Sequence, residues 1–300
     1  MCYQKSDKLL KANILFIINP ISGGKKKAKI PQLIDAYLDK RKFNANYSYT
    51  AYVGHAAELA EEAAAKNFDV IVAVGGDGTI NEIAAKVMQY QKILGIIPFG
   101  SGNGLARFLK IPLATQKAIQ VINGFQTQLI DTATLNEKFF FNMAGMGFDA
   151  HISAVFAGNK SRGLKGYIEM GLKEISAYRP QRYQLEIDGQ HYTKDAFVVS
   201  IANSSQYGNN VYISPNSSLT DGLLDVCIIK PFPLYKIPLL AYHMIRASTD
   251  RTDMVEIIRG KNIKIERLKE DSIHIDGEPF FMGKHLEINV KPLSLSIITP

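Results

Sequence analysis

Short apolar runs alternate with amphipathic segments along the first 130 residues. The run ILFIINP at 14–20 predicts a buried strand that stops at Pro20, and residues 29–41 place apolar side chains at helical spacing. The alternation continues as strand, helix, strand, helix, strand and helix over residues 46–53, 55–66, 69–74, 80–90, 93–99 and 103–110. This spacing predicts parallel strands joined by crossover helices.

The pattern changes after about residue 131. Strand-like runs separated by Gly, Asn, Asp or Pro turns follow, with helices expected near 151–177 and 233–247. Asp188-Gly189, between two such runs, is typical of a two-residue hairpin turn. We therefore predict an α/β domain over residues 1–131 and a mainly β domain over residues 132–290.

Composition indicates a folded chain with anionic partners. Hydrophobic residues make up 46% of the 300 residues, which is enough for a substantial core. The 35 Lys and Arg against 28 Asp and Glu give a net charge of +7. This balance favours phosphates, anionic lipid surfaces or nucleic acid, without choosing among them.

The N-terminus and the cysteines favour a reducing cytoplasm. The N-terminal sequence lacks the long apolar stretch and small-residue cleavage site of a signal peptide. No segment reaches the ~18 uninterrupted apolar residues of a membrane-spanning helix. Cys2 and Cys227 offer neither a disulfide framework nor a cysteine metal site. We expect membrane contact to be peripheral.

Glycine-rich turns follow three of the predicted strands. They are NPISGG at 19–24, GGDGT at 75–79 and PFGSGNG at 98–104. Such turns let backbone N–H groups approach an anion, and ligands of open α/β sheets bind beyond the carboxyl ends of strands. The P-loop sequence is absent, and GSGNGL has Leu105 where G-x-G-x-x-G requires glycine. The turns predict a phosphate site of another type, although each alone is equally typical of a tight connection.

Asp77 is an acidic residue inside a turn suited to anions. It becomes useful if a divalent cation joins it to phosphate, directly or through water. The alternative is that Asp77 only stabilises its own turn. Thr79 and Glu82 fit a capping box, which predicts a helix start at 79–82.

Seven motifs occur in order along the chain from about Asn13 to the C-terminus. GGDGT alone is not decisive, because NAD kinases and phosphofructokinases share it. The set of seven is much more specific. They are NPISGG, GGDGTINE, IPFGSGNGLAR, LIDTATLN, NMAGMGFDA, SPNSSLTDGLLDV and IDGEP. This set resembles the diacylglycerol/sphingosine lipid-kinase family, and most closely the bacterial YegS-type lipid kinases.

The resemblance implies both fold and activity. It implies a three-layer α/β nucleotide domain of the NAD-kinase and phosphofructokinase kind, followed by a β-sandwich, with the active site in the cleft between them. The last strand, near 291–300, would return to the first domain. The implied reaction is phosphorylation of a lipid hydroxyl with ATP and Mg²⁺.

The resemblance also implies roles for single residues. Asp77 would act on Mg²⁺ through water, Asp131 would be the second acidic residue of that network, and Glu278 would be the general base. The residues implied to contact the nucleotide are Asn19, Pro20, Ile21, Ser22, Gly23, Thr50, Gly75, Gly76, Asp77, Gly78, Thr79, Ile80, Asn81, Ser101, Gly102 and Asn103.

Two implied sites lie in segments that have simpler interpretations. Ser218, Asp221 and the Leu223 carbonyl would form a separate structural Mg²⁺ site, but SLTDGLLDV alone is also typical of a turn before a strand. The segment around Glu278, IHIDGEPF, alone predicts a surface hairpin. His274 within it is most simply a strand residue.

The sequence is less specific about the substrate and about contact with a membrane. Residues 160–182 place apolar side chains on one helical face with an excess of Lys and Arg, which suits an anionic membrane surface or an ordinary helix covering a sheet. The lysine run at 23–29 suits either phosphate or solvent. No nucleic-acid recognition motif is present. We expect a lipid substrate, peripheral contact with the inner face of the membrane, and compatibility with a homodimer.

Two functions other than a lipid kinase are compatible with part of the sequence. An NAD kinase shares GGDGT and a two-domain plan, but GSGNGLAR and the late DGE favour a lipid kinase. A non-catalytic nucleotide-binding regulatory protein would not require Asp77, Asp131 and Glu278 together. The resemblance leaves open whether diacylglycerol, a sphingoid base or phosphatidylglycerol is phosphorylated, because Ser101 stands where many bacterial relatives have threonine.

Overall fold

The structure is a computed structural model that describes residues 11–24, 29–157, 170–171 and 173–300. Its helices are α1 (Ile30–Tyr37), α2 (His55–Ala65), α3 (Asp77–Gln89), α4 (Gly104–Phe108), α5 (Thr115–Gly124), α6 (Phe148–Ala157) and α7 (Ile237–Ile245). The strands of the first half are β1 (Ala12–Ile18), β2 (Phe43–Tyr49), β3 (Val70–Gly75), β4 (Ile93–Pro98), β5 (Thr127–Leu135), β6 (Lys138–Phe140) and β7 (Met143–Gly147).

The second half is dominated by strands. They are β8 (Gln181–Ile187), β9 (Gln190–Ala196), β10 (Val198–Ala202), β11 (Gln206–Gly208), β12 (Val211–Tyr212), β13 (Leu224–Ile229), β14 (Val255–Gly260), β15 (Asn262–Arg267), β16 (Asp271–Ile275), β17 (Glu278–Met282) and β18 (His285–Ile298).

The N-terminal part is a three-layer α/β arrangement. Strands β2, β1, β3 and β4 lie side by side and run parallel. Helix α2 contacts α3 over this sheet, and α1 contacts α5. Every residue of β3 is buried, as expected for a parallel strand covered on both faces. All carboxyl ends of these strands therefore open onto one edge of the sheet.

Strand β18 joins the two parts of the molecule. Its beginning pairs with β15, and its end pairs in parallel with β4 through Ser296 and Ile297. It also runs antiparallel to β5 on both sides of an irregularity between Lys291 and Leu295. One continuous sheet consequently passes from the N-terminal parallel strands into the C-terminal strands.

The C-terminal part is a β-sandwich. A second sheet, in the order β14-β13-β10-β7-β16-β17, packs through its inner face on the extension of the first sheet. Their shared core contains Met146, Tyr183, Ile201 and Ile263, each almost fully buried. The outer face of the second sheet carries another apolar cluster, which includes residues of α7.

The predicted fold class is confirmed, and so is the hairpin at Asp188-Gly189, where β8 turns directly into β9. Residues 158–169 and 172, which include residues 160–169 and 172 of the segment 160–182 proposed to contact a membrane, lie outside the described residues, as does Cys2. The end of this segment lies beyond the helix expected near 151–177 and belongs to β8, which begins at Gln181. In the part of the chain that is described, Cys227 is a buried free thiol, and no helix combines the length and apolar character needed to cross a bilayer.

Candidate active site

The three glycine turns meet at the carboxyl edge of the parallel strands. Gly23, in the first turn, has a φ of 66°, and a Cβ at this position would overlap the carbonyl oxygen of Phe99 in the third turn. A Cβ on Gly76, in the second turn, would lie 3.0 Å from the Cα of Gly100. The turns thus touch through their backbones, and a side chain at either position would separate them.

Asp77 connects the second turn to the third. Its carboxylate accepts hydrogen bonds from the backbone N–H groups of Asn103, at 2.8 Å, and Gly104, at 2.9 Å. Asn103 in turn binds both backbone groups of Gly100 through its side chain. Burial raises the pKa of Asp77 to about 6, and the negative charge of Asp276 adds to the effect. Asp77 therefore shapes the third turn and carries a negative charge that the protein only partly compensates.

The predicted capping box at Thr79 and Glu82 is wrong. Helix α3 begins at Asp77, after Gly76, and no side chain caps it. Thr79 Oγ1 instead accepts the side-chain amide of Asn19 at 3.0 Å, which ties the second turn to the first. Glu82 accepts the N–H of Gly54 at 3.1 Å. Both side chains that the local pattern assigned to the helix cap instead form hydrogen bonds with residues that are distant in the sequence.

Two further predicted nucleotide residues lie near the first turn. The Asn19 side chain accepts the N–H of Ile21 at 3.1 Å and so holds the turn closed. Thr50 is buried just after β2, where its N–H donates to Ile18 at the end of β1. Ser101, in the third turn, is exposed.

Glu278 reaches the second turn from the other domain. It is the first residue of β17, and a Cβ built on Gly78 would lie 2.8 Å from Glu278 Oε1. The carboxylate therefore sits against the first turn of α3. Burial raises its pKa, and the neighbouring charge of Glu82 raises it further. Tertiary structure thus places Glu278 against Gly78, the residue that follows Asp77 in the chain.

Asp276 is a residue of the site that the sequence analysis missed. Its buried carboxylate accepts four hydrogen bonds, one from the Asn81 side chain at 2.7 Å and three from the backbone of residues 141–143 at 2.9–3.0 Å. Asn81 also donates to the carbonyl of Phe139. Asp276 thereby joins α3 to the strands beneath Glu278. Burial raises its pKa despite these donors. The Asp-Gly turn was the available signal, but it indicated only a hairpin.

Asp131 lies in a different environment. It is fully buried, and its carboxylate accepts the N–H of Gly222 and the N–H of Leu293, each at 2.7 Å. Its own backbone carbonyl accepts the Asn203 side chain, which also donates to the carbonyl of Phe141. These contacts fix the 219–222 loop against β18. A role of Asp131 in a metal network stays a prediction.

The proposed structural Mg²⁺ site contains a guanidinium group. Arg259 forms an ion pair with Asp221 and a second one with Asp225 at 2.9 Å. The other oxygen of Asp221 accepts the N–H of Leu223 at 3.1 Å, and Ser218 hydrogen-bonds Thr220. The residues present do not fit a cation bound by Asp221, since Arg259 already neutralises that carboxylate.

A second polar cluster lies on the outer face of the C-terminal sheet. Asp149, at the start of α6, accepts hydrogen bonds from His274 at 3.1 Å, Ser200 at 3.1 Å and Tyr207 at 3.2 Å. His274 is a strand residue, as predicted, and is almost fully buried. Sequence analysis gave no signal for this cluster, because its members come from four separate elements.

Charge around the glycine turns suits a bound cation. Within residues 11–24, 29–157 and 170–300, leaving out 172, no Lys or Arg forms an ion pair with Asp77, Asp276 or Glu278. Across the same residues, no three His, Cys, Asp or Glu side chains converge as metal ligands would. A Mg²⁺ ion here would take most of its ligands from phosphate and water, which is its usual preference.

Two family models match the chain, one over its N-terminal part and one over its C-terminal part. Residues 13–135 match the diacylglycerol kinase catalytic domain family, and residues 142–299 match the YegS C-terminal NAD kinase beta sandwich-like domain. The two matches place the glycine turns in the first unit and Glu278 in the second.

Curated relatives and solved structures carry the same description. The chain is 31% identical over 254 residues to a probable lipid kinase YegS of Escherichia coli O6:K15:H31, covering 82% of this chain and 83% of that protein. It is 28% identical over 269 residues to a diacylglycerol kinase of Bacillus subtilis, covering 87% and 88%. A crystal structure of a putative diacylglycerol kinase from Bacillus anthracis shares the fold, with a TM-score of 0.79 at 24% identity over 100% and 99% of the two chains.

These matches favour a lipid kinase over the NAD kinase and the non-catalytic binding protein that the sequence left as alternatives. Membership of a kinase family implies the use of ATP, and the relatives' names imply a lipid substrate. The chain belongs to the diacylglycerol kinase-like family of lipid kinases, with a catalytic α/β domain followed by a YegS-type β-sandwich.

Proposed function

We propose that this lipid kinase transfers the γ-phosphate of ATP, with Mg²⁺, to the hydroxyl of diacylglycerol or a related lipid. The position of Glu278 carries the proposal, because its Oε1 lies against Gly78 at the start of α3. A phosphate on the glycine turns and an acceptor hydroxyl beside Glu278 would then be neighbours. Phosphoryl transfer depends mainly on such positioning.

The glycine turns are the proposed phosphate site. The first turn of α3 follows Gly75-Gly76 without a side-chain cap, so its backbone N–H groups are available to an anion. The dipole of this 13-residue helix adds a partial positive charge at the same place. The predicted nucleotide contacts from Asn19 to Gly23, at Thr50, from Gly75 to Asn81 and from Ser101 to Asn103 are part of this proposal.

Asp77 is the proposed cation ligand, through water. Bound Mg²⁺ would neutralise charge on the transferring phosphoryl group. The Asp77 carboxylate already accepts two backbone N–H groups, which fix its orientation, and burial raises its pKa to about 6. Asp131, as the second acidic residue of the Mg²⁺ network, is part of this proposal, and its carboxylate also accepts the N–H groups of Gly222 and Leu293.

Glu278 is the proposed general base. A hydroxyl loses its proton as it attacks phosphorus, and a carboxylate within hydrogen-bond reach can accept it. The raised pKa of Glu278 makes it a stronger base than a glutamate with the ordinary pKa. Asp276 would position it, since the Asp276 carboxylate fixes the turn from which Glu278 projects.

A two-substrate assay tests the function. Purified protein is incubated with [γ-³²P]ATP and Mg²⁺, with either diacylglycerol in detergent micelles or NAD⁺ as acceptor. We expect label in the lipid and none in NAD⁺, and we expect chelation of Mg²⁺ to remove it. Label in NAD⁺ alone would reject the proposal. A screen of lipid extracts by mass spectrometry would then identify the preferred acceptor among diacylglycerol, sphingoid bases and phosphatidylglycerol.

Asp77→Asn tests the cation site. Loss of one electrostatic contact of this kind costs about 3–4 kcal/mol, so we expect activity to fall by roughly 10²–10³-fold or the Mg²⁺ requirement to rise. Thermal unfolding of the same variant reports any loss from the hydrogen bonds to Asn103 and Gly104. An unchanged Mg²⁺ dependence with full activity would contradict the assignment.

A further inference from the structure

Helix α7 and the residues just before it expose a row of large apolar side chains. The exposed fractions are 44% for Leu234, 79% for Tyr235, 47% for Leu239, 57% for Tyr242 and 64% for Ile245. Tyr235, Leu239 and Tyr242 follow the i, i+4, i+7 spacing of a single helix face. We call these five residues the α7 surface.

The opposite face of α7 is already used by the fold. Leu240 is buried in the apolar cluster on the outer face of the second sheet, together with Ile213 and Met254. Phe232 and Met244 pack against the same cluster. The helix is therefore apolar on both sides. Helices of this kind are normally covered on both sides, and contiguous exposed apolar patches mark interaction sites.

The charges within the chain segment that carries the α7 surface have one sign, although Lys230 pairs with Glu256 of β14 at 3.9 Å. Residues 230–249 contain Lys230, Lys236 and Arg246 and no Asp or Glu. Lys236 immediately precedes the helix and Arg246 immediately follows it. The next acidic residue is Asp250, whose carboxylate accepts the side-chain amide of Asn216 at 3.1 Å. An apolar strip with a cation at each end is complementary to an anionic lipid surface.

We propose that the α7 surface docks the kinase on an anionic lipid bilayer, an inference that rests on the proposed lipid substrate. Leucine and isoleucine side chains would enter the acyl boundary, while the two tyrosines would lie at the level of the headgroups, where amphipathic rings are favoured. A second copy of the chain fits less well. In a two-fold symmetric pairing of this face, Lys236 and Arg246 of the two copies would meet like charges.

The α7 surface is linked to the active site through a short hairpin. Helix α7 contacts β12, β12 pairs with β11, and β11 contacts α4. A Cβ on Gly208, at the end of β11, would lie 2.9 Å from the Cα of Gly102 in the third glycine turn. The docking face is thus separated from the nucleotide turns by one two-stranded hairpin.

Vesicle flotation tests the proposal without ATP. The probes are vesicles of phosphatidylcholine with and without phosphatidylglycerol. We expect the wild type to float with the anionic vesicles, and Leu239→Gln/Ile245→Gln to bind about 10- to 100-fold more weakly, given the apolar area removed from the membrane. Equal binding by the wild type and this variant would overturn the proposal.

A matched control uses exposed apolar residues elsewhere. Leu129 and Leu268 are 51% and 76% exposed, so Leu129→Gln/Leu268→Gln removes two side chains of comparable exposure. We expect this variant to float like the wild type. Equal losses in both double variants would contradict a specific surface. If the wild type is a dimer by light scattering, and the α7 variant is a monomer that floats unchanged, the surface is an interface between copies.

Two further measurements separate charge and function. Lys236→Gln/Arg246→Gln should reduce binding to phosphatidylglycerol vesicles about 10-fold and leave the binding to neutral vesicles unchanged; equal loss on both would reject the anionic partner.

The α7 variant should phosphorylate short-chain diacylglycerol below its micelle concentration at the wild-type rate. If the wild type floats but phosphorylates no diacylglycerol, docking stands and the proposed function falls.

Discussion

Two turns of this protein share the sequence Ile-Asp-Gly and the same backbone. Asp188 and Gly189 have φ values of 47° and 83°, and Asp276 and Gly277 have 48° and 89°. Each turn joins two antiparallel strands, with Ile187 opposite Gln190 and Ile275 opposite Glu278. Positive φ at both central residues is the geometry that Asp-Gly favours in hairpins. Locally, the two turns are equivalent.

Their surroundings differ. Asp188 is exposed and accepts backbone N–H groups of Lys261 and Asn262, and the hydrogen bonds to Asn262 lower its pKa. Asp276 is buried between the domains, and burial raises its pKa although four donors face it. The same local turn therefore serves as an ordinary connection in one place and, in the other, links the two domains at the candidate active site. Burial and the partner domain decide which.

Substitution of the residue that follows each turn, Glu278 or Gln190, should give the largest difference in activity between the two turns. Glu278 and Gln190 occupy the same position, as the first residue of the returning strand. We expect Glu278→Gln to lower kcat for lipid phosphorylation by roughly 10²–10⁴-fold, the usual contribution of a general base, with ATP affinity unchanged. Steady-state kinetics and ATP titration measure both.

Gln190→Ala is the matched control for that variant. Its side chain is exposed and accepts only a hydrogen bond from Tyr192 among the described residues. We expect wild-type activity. Full activity in Glu278→Gln would show that another group accepts the proton, and the two turns would then differ in packing alone.

Removal of the Asp276 carboxylate should lower the free energy of unfolding more than removal of the Asp188 carboxylate. Asp276→Ala leaves the Asn81 amide and three buried N–H groups without their acceptor, so we expect a loss of at least about 3 kcal/mol in the free energy of unfolding. Urea unfolding measures it. A loss no greater than that of Asp188→Ala would mean that water replaces Asp276 in the interior.

Asp188→Ala should have the smallest effect, about 1 kcal/mol or less, because water can replace an exposed carboxylate. The pKa of Asp188 is lower in the folded state than in the unfolded state, so its contribution is present above the unfolded pKa, about 3.9. It is lost as pH falls through the folded pKa. The free energies of unfolding of the wild type and Asp188→Ala should therefore approach each other as pH falls from about 4 through the folded pKa of Asp188; a difference that does not shrink over this range would contradict this explanation.

Local patterns predicted the elements and the fold class because they depend on neighbouring residues. The buried run at 70–74 and the Asp188-Gly189 turn both form as predicted. The capping box at Thr79 failed for the opposite reason. Its hydroxyl faces Asn19 of the first turn, and no short-range pattern contains that contact.

The residues of the candidate site were predicted one by one from a family resemblance. The hydrogen-bond and ion-pair partners of those residues were not predicted. Asp77 was expected to face a cation, and the structure adds that it holds Asn103 and Gly104 of the third turn. Asp276 was missed because its importance comes from burial against Asn81. The ion pair of Arg259 with Asp221 was missed because the partners are 38 residues apart.

The sequence by itself determined the alternation of elements, the glycine turns and the turn type at each Asp-Gly, because these follow from backbone preferences of a few adjacent residues. Tertiary structure alone decided which Asp-Gly turn packs against α3, what faces Gly78, and which side of α7 stays uncovered. Burial, charge and contact between distant segments exist only after the two domains have packed together.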